Sequence, residues 1–158
     1  MIINVFKVFA PSTVAFFIGL FITPILTHYL YKHKLWKKKA GKIAPDGRET
    51  PIFNELHKER EVGTPRLGGI IIWVTTLITT LIFWLLGNYA DWPVFAKLNF
   101  LSRNQTWLPL FTLLVGSLVG LVDDVLEITG SRKPGANNGG LSFKKRLVLV
   151  SLIGLAGA

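Results

Sequence analysis

Three long runs without a charged side chain constrain this sequence more than any other feature. They are Val8–Tyr31 with 24 residues, Leu67–Ala90 with 24 and Asn104–Val122 with 19. A helix needs about 20 mostly apolar residues to cross the hydrocarbon core of a bilayer, and each run meets that length. Buried helices of a soluble protein are the alternative, but three such runs in 158 residues leave no polar shell to cover them. The sequence therefore predicts an all-α, polytopic transmembrane helix bundle without a soluble domain.

The predicted spans cover residues 11–31, 67–87 and 107–128. A fourth apolar run occupies residues 147–158, where a helix would rise only about 18 Å against a core of about 30 Å. We therefore expect three complete spans and a truncated fourth, forming the N-terminal part of one larger membrane domain. The first run is too long for a cleaved signal peptide, and a basic cluster follows it instead of a cleavage site. The absence of cysteine excludes disulfides and thiolate catalysis.

Positive charge follows the predicted topology. Nine Lys and Arg residues lie in Lys32–Gly63 and five follow the third run, but the loop between the second and third runs has two. The positive-inside rule then places the first and third loops in the cytoplasm and the N-terminus outside. The net charge of +9 thus indicates attraction to anionic headgroups of the lipid bilayer. We expect no nucleic-acid partner, because the basic residues follow the topology and lack a folded soluble face.

The pair Asp123 and Asp124 follows directly on the uncharged third run. A carboxylate near membrane depth is costly and usually faces a polar cavity. Mg²⁺ is commonly held by one or two carboxylates together with substrate phosphates. We therefore predict Asp123 and Asp124 as the catalytic and metal-binding candidates, with Glu127 on the same face as Asp123. Adjacent residues are about 100° apart on a helix, so one aspartate would bind the metal while the other orients a ligand or assists a base, and which one contacts the ion stays open. The alternative is a helix end in solvent, although acids are unfavourable where the helix dipole is negative.

Two glycine-containing basic segments enter predicted helices from the same side as the acidic pair. The first, Gly-Thr-Pro-Arg-Leu-Gly-Gly, offers Thr64 and Arg66 as phosphate ligands. The second, Gly-Leu-Ser-Phe-Lys-Lys-Arg, offers Lys144 and Arg146. An ordinary helix start explains the first segment alone, and positive-inside flanking explains the second. Together with the aspartates, however, they favour Mg²⁺-assisted phosphoryl or sugar-phosphate transfer at the membrane surface.

In this order, the three segments resemble the motifs of the polyprenyl-phosphate N-acetylhexosamine-1-phosphate transferases. Residues 63–69 are similar to their TPxxGG motif, and residues 120–124, Gly-Leu-Val-Asp-Asp, to the aspartate pair that ends their third helix. Residues 140–146 are similar to the entry of their fourth helix. The resemblance covers the chain from about residue 57 to residue 146.

The resemblance implies that undecaprenyl phosphate attacks the β-phosphate of UDP-MurNAc-pentapeptide, giving lipid I and UMP with Mg²⁺ as cofactor. This reaction belongs to peptidoglycan synthesis, and so to cell wall biogenesis, cell shape and cell division, at the inner membrane of bacteria. Lys58 and Thr64 would line the nucleotide-sugar cleft, and Lys144 and Arg146 would face phosphates. Two residues depart from the pattern: Arg66 stands where such members often have threonine, and Arg146 where they often have lysine.

The family also has about ten spans, a later aspartate-containing loop and a late histidine-rich loop. Since these are not in the 158 residues, we expect this chain alone to be inactive. Within the enzyme class, the alternative is transfer of N-acetylglucosamine-1-phosphate from its UDP form to the same lipid carrier. Outside it, the alternative is a non-catalytic membrane scaffold or lipid-binding bundle. The oligomeric state, a homodimer included, stays open.

Overall fold

The computed structural model describes residues 2–36, 48, 50–52, 55–56, 62–90, 92–129 and 140–157. Its main helices are α1 (Ile2–Lys32), α2 (Ile70–Tyr89), α3 (Pro93–Leu98), α4 (Trp107–Thr129) and α5 (Phe143–Gly157). Two 3-10 turns, Phe100–Ser102 and Asn104–Thr106, connect α3 to α4. Of these helices, α1, α2 and α4 are long and apolar enough to cross a membrane. The prediction of an all-α membrane bundle is confirmed.

The helix boundaries differ from the predicted spans, and the starts of the first two helices have local causes. The first helix begins at Ile2, before the predicted residue 11, because residues 2–10 contain no glycine or proline to stop it. The second begins at Ile70, after the predicted residue 67, because Leu67 has a φ of +72° and cannot belong to a helix. It ends at Tyr89 instead of residue 87.

Helices α4 and α5, which correspond to the third and fourth predicted spans, also extend beyond the limits of those spans. Helix α4 ends at Thr129, one residue after the predicted end of the span at 128. Helix α5 begins at Phe143, ahead of the predicted residue 147, and ends at Gly157. Its basic residues belong to the first turn, where the Arg146 N–H donates to the Ser142 carbonyl at 3.0 Å. An apolar run therefore marks only the part of a helix that suits hydrocarbon.

Small residues and threonines bring α1 and α2 together. A Cβ atom built on Gly19 of α1 would lie 3.4 Å from Thr75 Cγ2 of α2, which is ordinary van der Waals contact. Thr75 is buried, and its hydroxyl donates to the Ile71 carbonyl at 2.6 Å. Thr80 is also buried and donates to the Thr76 carbonyl at 2.7 Å. Because these hydroxyls find acceptors within their own helix, α2 can bury them against apolar neighbours.

A hydrophobic cluster lies at one end of the bundle, where α1 and α4 end and α2 and α5 begin. We call this the basic end, because it carries Lys32 and Lys34 as well as the basic start of α5. The cluster contains Leu30, Leu67 and Ile128 as buried residues, with Leu26, Leu35, Ile70 and Leu121 packed around them. Most other large apolar side chains of the described helices are exposed, as lipid-facing residues are.

The opposite end is closed by a close approach between α2 and the segment after α3. A Cβ atom built on Gly87 would lie only 2.7 Å from Asn99 Cβ. The rings of Phe83 and Phe100 lie 6.4 Å apart beside this contact. Trp92 and Trp107 are exposed at this end, where amphipathic rings suit the membrane interface.

Replacing Gly87 by alanine should destabilise this end of the bundle. The added methyl group must displace Asn99, and overpacking of this kind costs about 1–3 kcal/mol. Thermal unfolding of the detergent-solubilised chain, followed by circular dichroism, should show a lower Tm. Gly116→Ala is the matched control, because a Cβ there has nothing within 4 Å. An equal Tm for both variants would contradict the close approach.

Candidate functional site

Three acidic side chains occupy the last turns of α4. Asp123, Asp124 and Glu127 are all half-buried, although they lie at the end of a helix. Successive residues of an α-helix are about 100° apart, so Asp123 and Glu127 share a face and Asp124 points in another direction. The adjacent aspartates therefore meet different surroundings.

The Asp123 carboxylate holds the start of α5. Its Oδ1 accepts the Leu141 backbone N–H at 2.7 Å, and its Oδ2 accepts a hydrogen bond from the Arg146 guanidinium in an ion pair. The Asp123 side chain is 15% exposed and that of Arg146 is 53% exposed. Gly140 lies against the same carboxylate, and a Cβ built there would be 2.7 Å from Oδ1. Both oxygens of Asp123 are thus engaged by the segment that enters α5.

Glu127 holds the start of α2 in a similar way. Its Oε2 accepts a hydrogen bond from Arg66 Nη1, and the two side chains are 15% and 30% exposed. The Arg66 backbone N–H donates to the Leu35 carbonyl at 2.9 Å, just beyond the end of α1. Arg66 therefore connects three parts of the basic end. Its main chain binds the segment just after α1, its side chain binds α4, and it lies four residues before the start of α2.

A cleft of about 220 Å³ opens between the start of α2 and the last turns of α4. It is lined by Leu67, Gly69, Ile70, Trp73, Ser117, Gly120, Leu121, Asp123 and Asp124. Among the described residues, Asp124 has no ion pair, in contrast to Asp123 and Glu127. The cleft therefore offers one carboxylate that no described cation neutralises, beside small residues that leave room for a ligand.

The segment before α2 has an unusual backbone. Leu67 has a φ of +72° and Gly63 a φ of +96°. A left-handed conformation suits glycine but is strained for a branched residue such as leucine. Leu67 is nevertheless 7% exposed and belongs to the hydrophobic cluster. Burial of its side chain thus fixes the turn that brings Gly69 and Ile70 to the cleft.

The structure brings together four of the residues predicted for the site: Asp123, Asp124, Arg66 and Arg146. Each arginine forms an ion pair with an acidic side chain of α4: Arg66 with Glu127, and Arg146 with Asp123. Thr64 and Lys144 are exposed outside the lining of the cleft, and Lys58 lies outside the described residues.

Three lining residues, Ile70, Trp73 and Ser117, were missed from the sequence. For Ser117 a signal was present, because it stands seven residues before Asp124. With Gly120 and Leu121 it completes the i, i+3, i+4, i+7 spacing of one helix face. No such spacing indicates Trp73, since its place at the cleft depends on how α2 packs against α4.

The donor set allows a test of whether Mg²⁺ suits this cleft. Among the described residues, no group of three or more His, Cys, Asp or Glu could form an all-protein metal cage. Asp124 supplies one carboxylate at the cleft, while both Asp123 oxygens already accept hydrogen bonds. Mg²⁺ typically keeps several waters and takes one or two carboxylates plus substrate phosphates. The cleft therefore fits Mg²⁺ held by Asp124 and a phosphate-bearing substrate.

Comparison with curated proteins confirms the resemblance predicted from the motifs. The chain is 31% identical over 121 residues to a phospho-N-acetylmuramoyl-pentapeptide-transferase of Chloroflexus aurantiacus, covering 77% of this chain and 26% of that protein. A protein of the same name from Anaeromyxobacter sp. is 29% identical over 151 residues, or 96% of this chain and 32% of the relative. Another, from Bacillus mycoides, is 29% identical over 90% of this chain and 36% of its own length.

The chain thus spans about a quarter to a third of the length of these relatives. The similarity extends over most of the chain, including residues outside the three motifs. No protein-family model and no solved structure matches the chain.

The two aspartates should differ in their effect on stability. Asp123→Asn removes the charge that pairs with Arg146, at an expected cost of about 1 kcal/mol because the arginine is half exposed. Asp124→Asn breaks no described ion pair and should change stability by less than about 0.5 kcal/mol. Thermal unfolding of both isosteric variants in detergent compares them directly. A larger loss of stability for Asp124→Asn than for Asp123→Asn would contradict the conclusion that Asp123, and not Asp124, forms the ion pair with Arg146.

Gly140→Ala should disturb the Asp123 carboxylate. The new Cβ cannot lie 2.7 Å from Oδ1, so the hydrogen bond from Leu141 must lengthen or break. Amide hydrogen exchange at Leu141, measured by NMR, should become faster. Gly68→Ala is the control, since a Cβ at Gly68 has nothing within 4 Å. Unchanged exchange in Gly140→Ala would show that the start of α5 is held in some other way.

Proposed function

We propose that the protein containing this chain transfers phospho-MurNAc-pentapeptide from its UDP-linked form to undecaprenyl phosphate, giving lipid I and UMP. The observation that carries the proposal is the cleft at the basic end, in which Asp124 lies beside two motif segments anchored on Asp123 and Glu127. The names of the relatives support this substrate over UDP-N-acetylglucosamine. The cleft lies at an end of helices that are able to cross a membrane, where a lipid-linked phosphate and a soluble nucleotide can meet.

In the proposed reaction, a phosphate oxygen of undecaprenyl phosphate forms a bond to the β-phosphorus of the nucleotide sugar. The bond from that phosphorus to the oxygen bridging the two phosphates breaks, and UMP leaves with this oxygen. When bound, Mg²⁺ would neutralise charge on the phosphates. Asp124 would hold the ion, and Asp123 would keep the start of α5 against the cleft through Leu141 and Arg146. Thr64, Lys144 and Lys58 are proposed to contact substrate phosphates or the nucleotide from the surrounding segments.

The proposed location is the inner membrane of a bacterium, with the basic end in the cytoplasm. Positive loops favour that side, and it is where a UDP-linked sugar would be available. The reaction would supply a peptidoglycan precursor and would therefore support cell shape and cell division. The 158-residue chain spans only part of its relatives, so we propose that residues of a longer chain complete the site.

Replacing Asp124 by asparagine in the full-length protein should abolish most of the UMP release. The assay contains purified protein in detergent, Mg²⁺, undecaprenyl phosphate and UDP-MurNAc-pentapeptide, with UDP-N-acetylglucosamine in a parallel reaction. Loss of a group that acts on transition-state charge typically lowers kcat by about 10²–10³-fold. Glu55→Gln is the control, because Glu55 is an exposed acid that does not line the cleft.

Three outcomes would contradict parts of this proposal. Wild-type turnover in Asp124→Asn would favour a non-catalytic role for the cleft, such as that of a scaffold. Faster turnover with UDP-N-acetylglucosamine would favour the alternative sugar substrate. UMP release above background by the 158-residue chain alone would show that the chain forms a complete site.

A further inference from the structure

We propose that Arg66 is a positioning residue, whose ion pair with Glu127 fixes the separation between the two walls of the cleft. The sequence instead favours Arg66 as a direct phosphate ligand, and the two roles lead to opposite mutational results. The kinetic consequence rests on the proposed transferase function. The structural consequence does not, and it can be measured on the 158-residue chain.

The pair joins the two walls at the rim of the cleft. Arg66 directly precedes Leu67, which lines the wall formed by the start of α2. Glu127 follows Asp124 by three residues and Asp123 by four, on the next turn of the wall formed by α4. The two partners are 61 positions apart in sequence, so no local backbone geometry would hold them together. Their contact therefore constrains how far the walls can separate.

Both partners are largely withdrawn from solvent, with 30% of the Arg66 side chain and 15% of the Glu127 side chain exposed. Removing one partner would leave the other charge poorly hydrated, and breaking a pair in this way is more harmful than never forming it. An unneutralised Glu127 would also place a second negative charge near Asp124 and repel incoming phosphates. Loss of Arg66 thus changes both the geometry and the charge of the cleft.

The Arg66–Glu127 pair lies beside a strained backbone position, Leu67. Leu67 adopts a left-handed conformation, φ +72°, which costs a branched residue about 1–2 kcal/mol. Such a conformation persists only where surrounding contacts determine it. Among the described residues these contacts include the Arg66 N–H bond to Leu35, the burial of Leu67 and the side-chain pair with Glu127. Without the pair, relaxation of Leu67 would move Gly69 and Ile70, the next residues of the same wall.

Exchange of the two charges distinguishes positioning from phosphate binding. Arg66→Glu and Glu127→Arg each place like charges together, but the double variant restores an opposite pair at the same two positions. If Arg66 positions the wall, the double variant recovers function. If Arg66 binds phosphate, the double variant stays impaired because the guanidinium has moved to α4. Glu127→Gln adds a second contrast, since it removes the negative charge opposite Arg66 without adding a cation.

The kinetic experiment measures UMP release by the full-length protein carrying these substitutions. Under the proposal, each charge reversal lowers kcat by about 10- to 100-fold, the loss expected from a misplaced wall. KM for the UDP-sugar should rise in Arg66→Glu, because the added negative charge repels phosphates, and should return to within about 3-fold of wild type in the double variant, which restores the net charge of the pair. The double variant should also regain at least about 10-fold in kcat, within the range of coupling between residues in contact. Glu127→Gln with normal kcat, together with a double variant that stays impaired in kcat and KM, would overturn the proposal.

The structural experiment uses the absence of cysteine from the chain. Spin labels are attached to Gly68→Cys and Thr129→Cys, two exposed positions at the start of α2 and the end of α4. Dipolar EPR on the 158-residue chain in lipid vesicles then reports the separation of the walls. Arg66→Glu should lengthen or broaden the distance distribution, and the double exchange should restore it. Circular dichroism checks that helix content is retained, and Arg66→Gln replaces any variant that fails this check.

The two experiments fail in distinguishable ways. An unchanged EPR distribution in a folded Arg66→Glu or Arg66→Gln variant overturns the positioning role, whatever the enzyme does. Absence of UMP release from the wild-type full-length protein overturns the proposed function, while the EPR measurement still decides whether the pair holds the walls.

Discussion

The last turns of α4 place three acidic side chains where the helix dipole is itself negative, an arrangement that is unfavourable unless cations neutralise it. Arg66 and Arg146 neutralise two of the three, Glu127 and Asp123, from two different segments of the chain. Each arginine stands at or just before the start of a helix, so the same contacts that stabilise the acids also position α2 and α5. The geometry of the cleft depends on these contacts, because its walls are the start of α2 and the end of α4, which the Arg66–Glu127 pair joins.

A consequence is that the adjacent aspartates make different contacts. Both carboxylate oxygens of Asp123 accept hydrogen bonds, one from the Leu141 N–H and one from Arg146. Asp124 lines the cleft without an ion pair to a described residue. The 100° step of the helix separates them, since a cation that reaches one cannot face the other equally. The alternative prediction, that the two aspartates end a helix in solvent, describes neither residue, because both are half-buried.

Much of the fold followed from the sequence because hydrocarbon imposes a length requirement that charge-free runs reveal. The ends of the helices differ from the predicted span limits where the cause is not hydropathy. Leu67 is as apolar as its neighbours, yet its left-handed backbone ends the turn before α2. Basic residues before the fourth run belong to the first turn of α5. The acids and arginines were recognised as candidates, but their pairing depends on tertiary contacts. Arg66 and Glu127 are separated by 61 positions in the sequence, and Asp123 and Arg146 by 23 positions. No local pattern contains that information.

The reliance on polar contacts at the basic end has a physical origin in the membrane. Lipid tails are as apolar as leucine side chains, so burial of apolar surface gives little force between helices within the bilayer. The exposed apolar faces of α1 and α4 agree with such an environment. Near the interface water is present, so charged side chains avoid the cost of entering hydrocarbon and apolar burial again becomes favourable. The Leu30, Leu67 and Ile128 cluster and the two ion pairs lie together at this end. The walls of the cleft can therefore be held by apolar burial and by ion pairs together, a combination that the centre of the bilayer does not favour.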